Sequence, residues 1–377
     1  MQQQRQTISA RQLAILVILF VIGDMQLYLP PLTAAFAKQS AWMSGVIGIP
    51  FGVGAAWFIF SFSKRFPGKT LIDINNQAFG KIAGGLLSLV FLVMMFNQSI
   101  TQVREIADFV STQMMTETPQ LVICLLLVLP ITLAIRGGIT TIGRLGEVIF
   151  PLFSVLFILL IILLIPKIDL TQLLPIEVTG LSGVVKGALF FIVFPFCEMF
   201  AFLMIFESVE ESEHAARDYL LAALAAGIAI WSVIVLCICV LGVYTTEHTI
   251  YSPYVMAKKI NIGDFVQRLE AVLAIDYIIS AYFRSIIFGY TFIRGLQQLF
   301  KLQDHRFIMR PFGFLIVGYA YFLAPGVVAF VQFDVVWLFW VFSYSPGLLL
   351  LSYIAARLRQ GWSKKGEDWR EAGETGD

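Results

Sequence analysis

Charge is scarce in this chain. Of its 377 residues only 14% are Asp, Glu, Lys or Arg, against 58% that are hydrophobic, and mean hydropathy is +0.83. A water-soluble domain carries about a quarter of its residues as charges. The deficit excludes a soluble globular protein and leaves one whose exterior meets hydrocarbon. A formal net charge of +1 offers no broad positive field, so no nucleic-acid partner is expected. Cysteine and histidine are sparse too. Cys124, Cys197, Cys237 and Cys239 fall inside apolar stretches, as small buried hydrophobes do, and His214, His248 and His305 are scattered. No metal site and no cofactor is predicted. The chain has no Walker-type phosphate loop, no H-E-x-x-H and no G-x-S-x-G, so ATP-driven pumping and common hydrolase chemistry find no support and catalysis is not expected.

What the chain has is long apolar runs. A hydrocarbon core of ~30 Å needs about 20 apolar residues per helix. On that ruler ten spans are predicted: 12–33, 41–63, 82–112, 121–136, 139–165, 184–207, 216–245, 264–299, 310–331 and 335–357. The first is too long for a signal-peptide core and is read as retained. Loops on the N-terminal side carry about three times as many Lys and Arg as the opposite loops, which places both termini in the cytoplasm. The expected organisation is one transmembrane domain over 1–357, an outer-surface helix within 246–263, and a flexible cytoplasmic tail over 358–377.

Two spans carry breaks. Span one has Gly23-Asp24 at mid-depth and Pro30-Pro31 beyond; span six has Pro195 at its middle and Glu198 just after. They hold matching slots if the ten spans are two groups of five, the second inverted relative to the first, about 12–165 and 184–357. Interrupted helices in corresponding positions of inverted halves point to a transporter-type site. Unwound backbone at mid-membrane frees N–H and C=O groups beside a cavity, and half-helix N-termini suit a carboxylate. The plainer alternative is that Gly and Pro merely kink these helices.

Ionisable groups at depth are costly. Asp24 and Glu198 could hold an amine or a proton, or cap the half-helix beyond. In span eight Asp276, Ser280 and Arg284 recur every four residues and form one polar stripe, which either lines a pathway or locks helices together. Arg104 and Asp108 in span three read as a solvated or interhelical structural pair, and Arg144 and Glu147 in span five as structural residues near the inner surface. The candidate ligand-binding residues are Gly23, Asp24, Met25 and Gln26 in span one, Asn97 and Thr101 in span three, Pro195, Phe196, Cys197 and Glu198 in span six, and Ser280 and Tyr282 in span eight. An apolar lining of Met25, Phe196, Met199 and Tyr282 suits an aliphatic amino acid; Gln26, Asn97 and Gln98 leave a hexose open.

Several local patterns are familiar: Ser9-x-Arg11-Gln12, Lys64-Arg65-Phe66-Pro67-Gly68-Lys69-Thr70-Leu71, Arg136-Gly137 with Arg144-x-x-Glu147, Phe194-Pro195-Phe196-x-Glu198, Gly263-Asp264-Phe265-x-x-Arg268, and Leu299-Phe300-Lys301-Leu302 with Asp304 and Arg306. In this order the chain resembles the GerAB family, the B subunits of spore germinant receptors, within the amino acid–polyamine–organocation superfamily. The resemblance implies an all-α membrane fold of five-plus-five inverted repeats (LeuT-like) and a place in the inner membrane of a bacterial spore. It also implies a nutrient ligand, commonly an amino acid, and assembly with A-type and C-type receptor subunits. The family's binding region maps to the break around Gly23, to span three, to the Pro195 break and to span eight. Three functions stay open: a germinant-sensing subunit, a proton- or Na⁺-coupled amino-acid transporter, and a structural membrane partner whose breaks are only kinks.

Overall fold

The structure is a computed structural model, and it describes residues 6–174, 180–260, 270–302, 306–322 and 337–355. The helices in chain order are α1 (Ala10–Ile22), α2 (Met25–Ala37), α3 (Ala41–Lys64), α4 (Leu71–Phe79), α5 (Lys81–Phe109), α6 (Gln120–Gly137), α7 (Ile139–Leu164), α8 (Gly180–Phe196), α9 (Ala215–His248), α10 (Ser252–Ala257), α11 (Glu270–Leu299) and α12 (Arg306–Phe322). The last is α13 (Trp337–Ala355). Among the described residues the sole β pairing is a parallel bridge between Ile8 and Val209.

Eight stretches are long and apolar enough to cross a membrane by length and composition, and two shorter apolar helices, Ala10–Ile22 and Phe307–Phe322, accompany them. The sequence places a loop between its first two spans. Here α2 passes into α3 through a single 3₁₀ turn, Lys38–Ser40, with Lys38 at φ 51° ending α2. The tail from 358 and the motifs at 263–268 and Asp304 lie outside the described residues.

Exterior faces are apolar. Along α7, Val148, Val155 and Ile162 recur every seven residues and are more than half exposed, while Phe153, Leu160 and Leu164 of the same helix are buried. A face of that kind fits acyl chains. Inside, α3 carries Gly45, Gly48 and Gly52, where an added Cβ would run into Trp231, Phe191 and Phe196. Small residues there let α3 close on α8 and α9. On the opposite side of the core Ser99 of α5 and Ser285 of α11 exchange hydrogen bonds through each other's carbonyls (3.1 and 3.0 Å).

Polar side chains tie the ends. Thr70 and Asp73 form a capping box at α4, and Asn75 joins α5 through Ser88 and α13 through Ser352. Arg104 pairs with Asp108 one turn on (2.8 Å) and donates to the Ala320 and Tyr321 carbonyls near the end of α12. That buried contact is the interhelical structural pair expected from the sequence. The strand-like contact at Ile8 brings the start of α1 against residues 208–210, with Ile8 N donating to Ser208 O and Glu210 N to Ile8 O, both at 2.9 Å.

Candidate functional site

The site grows from two local departures from α-helix. The first is at Gly23, with φ 36° and ψ −129°. Its N–H still closes α1 on the Leu19 carbonyl at 3.0 Å, and the Asp24 carbonyl then opens α2 by accepting from Leu27 and Tyr28. Only glycine takes this backbone without strain. A Cβ at 23 would also lie 2.5 Å from Arg284 Cδ and 2.9 Å from the Phe20 carbonyl oxygen. The carbonyls around the break turn to α11: Arg284 Nη1 donates to Phe20 O (3.3 Å) and Ser280 Oγ to Gly23 O (2.9 Å).

The second departure differs from the sequence expectation. At Pro195 the sequence predicts an interruption; instead α8 runs to Phe196 and continues as a 3₁₀ helix over Cys197–Met204. Proline removes one N–H and clashes with the preceding turn, which disfavours continued α-helix. The tighter winding keeps the chain helical, and neighbouring side chains donate to its carbonyls. Phe194 O receives Arg284 Nη2 (2.8 Å), Cys197 O receives Ser345 Oγ (2.6 Å), and Ala201 O receives Thr291 Oγ1 (3.3 Å).

Arg284 joins the two. Its side chain is 1% exposed, and its Nη1 lies 3.2 Å from Asp24 Oδ1 while Nη2 lies 2.5 Å from Glu198 Oε2. The guanidinium stacks over Phe20 and Phe288, 5.0 and 5.8 Å from their ring centroids. Trp337 Nε1 of α13 donates to the other Glu198 oxygen at 3.3 Å. Asp24 stands at the N-cap position of α2, but its side chain makes no cap bond. Both sequence-favoured acids are therefore held by the protein's own cation. A buried charge left without its partner is strongly destabilising, so this triad couples the positions of α1, α2, α8 and α11.

The structure brings Gly23, Asp24, Gln26, Glu198 and Ser280 into one cluster. The Gln26 amide meets Ser280 Oγ at 3.0 Å; oriented to satisfy its neighbours, it donates to Asp276 Oδ2 (3.2 Å) and accepts from Tyr277 N (3.1 Å). Pro195 sits at the end of α8 beside Phe194. Other candidates lie elsewhere. Met25 is buried in the core. Phe196 packs toward Gly52 and Gly227 of the α3 and α9 side. Cys197 joins a small apolar cluster with Val193 and Val341. Tyr282 is half-buried and edge-on to Phe283, about 200° around α11 from both Ser280 and Arg284. Asn97 and Thr101 are half-buried on α5 and hydrogen-bond neither acid nor Arg284.

Trp337 and Ser345 belong to the surroundings of this cluster and were not singled out from the sequence, nor were the Phe20 and Phe194 carbonyls. A carbonyl has no side-chain signature, and a Trp at the start of an apolar run reads as an interfacial anchor. The Asp276–Ser280–Arg284 period was the one available signal. A polar pocket of about 620 Å³ lies where α1 and α7 begin, lined by Gln6, Thr7, Ser9, Gln12, Thr140, Arg144 and Glu210.

Among solved structures the chain is similar to MhsT in complex with L-phenylalanine, with TM-score 0.68 and 16% identity over 96% of this chain and 90% of that one. It is also similar to Mhp1, a nucleobase-cation-symport-1 family transporter in a closed conformation with bromovinylhydantoin bound, with TM-score 0.67 and 12% identity over 92% and 78%. At such identities the likeness speaks for the fold alone, and it bears out the LeuT-like expectation. Two relatives come from Bacillus subtilis (strain 168). Spore germination protein KB is 22% identical over 313 residues, 82% of this chain and 83% of that protein. Spore germination protein YndE is 23% identical over 299 residues, 78% and 81%. The family model described as spore germination protein matches residues 7–331, so this chain, an integral membrane protein of transporter fold, belongs to the spore germination protein family.

Proposed function

We propose that the chain is the nutrient-sensing subunit of a spore germination receptor, and that it binds an amino acid at mid-membrane where the Gly23 break, α5, the Pro195 switch and α11 converge. The observation that carries this reading is the buried guanidinium of Arg284, shared by a carboxylate at each departure. A ligand shifts a conformational balance only through different affinity for two states, and a triad spanning both departures changes its pairing when either moves. In this reading the chain crosses the spore inner membrane ten times, α1 and α2 forming one crossing, within a single domain whose termini face the cytoplasm. A-type and C-type partner subunits sense the rearrangement.

The alternative is a proton- or Na⁺-coupled amino-acid transporter, favoured by the transporter fold of its structural neighbours. The test is a time course of labelled amino acids with the purified chain in liposomes. A plateau at about one ligand per protein, indifferent to ion gradients, supports the sensor. Continued accumulation driven by a proton or Na⁺ gradient overturns it in favour of transport.

A further inference from the structure

We infer that Asp276 holds the ligand's ammonium group, and that the chain therefore takes primary amines, α-amino acids above all, in preference to the matching α-hydroxy acids. The inference rests on the reading that an amino acid is the ligand and names the group that selects it. From the sequence the acids favoured for that task are Asp24 and Glu198, and both are ion-paired with Arg284. Asp276 is different. It is 1% exposed, lies on the same face of α11 as Ser280 and Arg284, and pairs with no Lys or Arg among the described residues. One oxygen, Oδ2, meets the Gln26 amide, while Oδ1 has no hydrogen-bond partner at all.

A buried carboxylate in this condition needs a positive charge or a proton beside it. The surroundings are polar enough to orient an ammonium. In the orientation that satisfies its neighbours Gln26 links Asp276 Oδ2 to Ser280 Oγ, which lies 2.9 Å from the Gly23 carbonyl oxygen. Asp276 Oδ1 is thus a buried anionic acceptor that no Lys or Arg answers among the described residues. An ammonium group supplies three donors and a full charge, whereas a hydroxyl supplies one donor and none.

The experiment is equilibrium binding to the full chain in lipid nanodiscs. The labelled amino acid that binds is competed against its own α-hydroxy analogue, with wild type, Asp276→Asn and Asp276→Glu. The wild-type chain should prefer the amino acid by roughly tenfold to a hundredfold, the worth of a hydrogen bond between charged groups that the analogue lacks. Asp276→Asn should weaken the amino acid by about tenfold or more, the scale of losing a charged hydrogen-bond partner, leave the hydroxy acid within a few-fold, and so collapse the preference. Asp276→Glu, which keeps the carboxylate, should retain it. Equal binding of both ligands by the wild type overturns the inference without need of any variant. So does an Asp276→Asn chain that keeps full preference, and in both cases amino-acid sensing itself still stands. If no amino acid binds the wild type saturably, the functional reading fails and takes this inference with it.

Discussion

The two departures from α-helix look alike in sequence, each a helix breaker beside an acid in a matching slot, yet the chain solves them differently. At Gly23 the backbone enters a conformation with φ 36° that only glycine tolerates easily, and a true gap separates α1 from α2. At Pro195 the chain stays helical and tightens to 3₁₀. The difference lies in what must approach. Arg284 Cδ comes so near Gly23 that no Cβ fits, whereas near Pro195 it is the Phe194 carbonyl, already in the helix, that receives the guanidinium. One departure is shaped by close approach of a side chain, the other by a missing N–H. Both end on the same cation.

That contrast can be broken at its shared member first. Arg284→Met leaves Asp24 and Glu198 buried without a partner and should cost about 3–5 kcal/mol of stability, the range for a broken buried ion pair. Thermal unfolding of the nanodisc-embedded chain reads it; a loss under 1 kcal/mol would mean the guanidinium holds neither acid. Gly23→Ala should come next, at about 1–3 kcal/mol from positive-φ strain plus the collision with Arg284. Pro195→Ala restores an N–H and should change stability by less than about 1 kcal/mol, the size of one net hydrogen bond. Comparable losses at the two positions would erase the distinction between gap and tightened helix. Ser345→Ala removes the partner of the Cys197 carbonyl in the 3₁₀ segment and should cost about 1 kcal/mol. Lys38→Gln should cost about 0–1 kcal/mol, because its pairing with Glu247 is partly exposed.

Much of this arrangement was legible before the structure, and the limits were physical. Gly23 stands out because glycine followed by an acid at mid-span has few other uses. The i, i+4, i+8 recurrence of Asp276, Ser280 and Arg284 follows from helical period, and all three are buried. The same period sets Tyr282 on the opposite side of α11, so size and aromaticity were the wrong guide to that candidate's place. The partners of Arg284 were not legible. Glu198 is 86 residues away and Phe20 is 264, and no local pattern encodes pairing over such separations. Pro195 announced a lost hydrogen bond, that of its missing N–H to the Phe191 carbonyl, but not the 3₁₀ segment that follows, whose Cys197 carbonyl accepts from Ser345 Oγ of α13. The exterior needed no such help, since apolar runs of this length have one stable surrounding.

The central claim is that one guanidinium makes the two departures a single unit. A double-mutant cycle of Arg284→Met and Glu198→Gln, read by thermal unfolding in nanodiscs, tests it most directly. Residues in direct contact within one ion-pair network show interaction energies of about 0.5–3 kcal/mol. The account predicts a coupling toward the upper end of that range, with the double variant more stable than the sum of the single losses implies. Additivity within about 0.5 kcal/mol, the behaviour of independent sites, would contradict it.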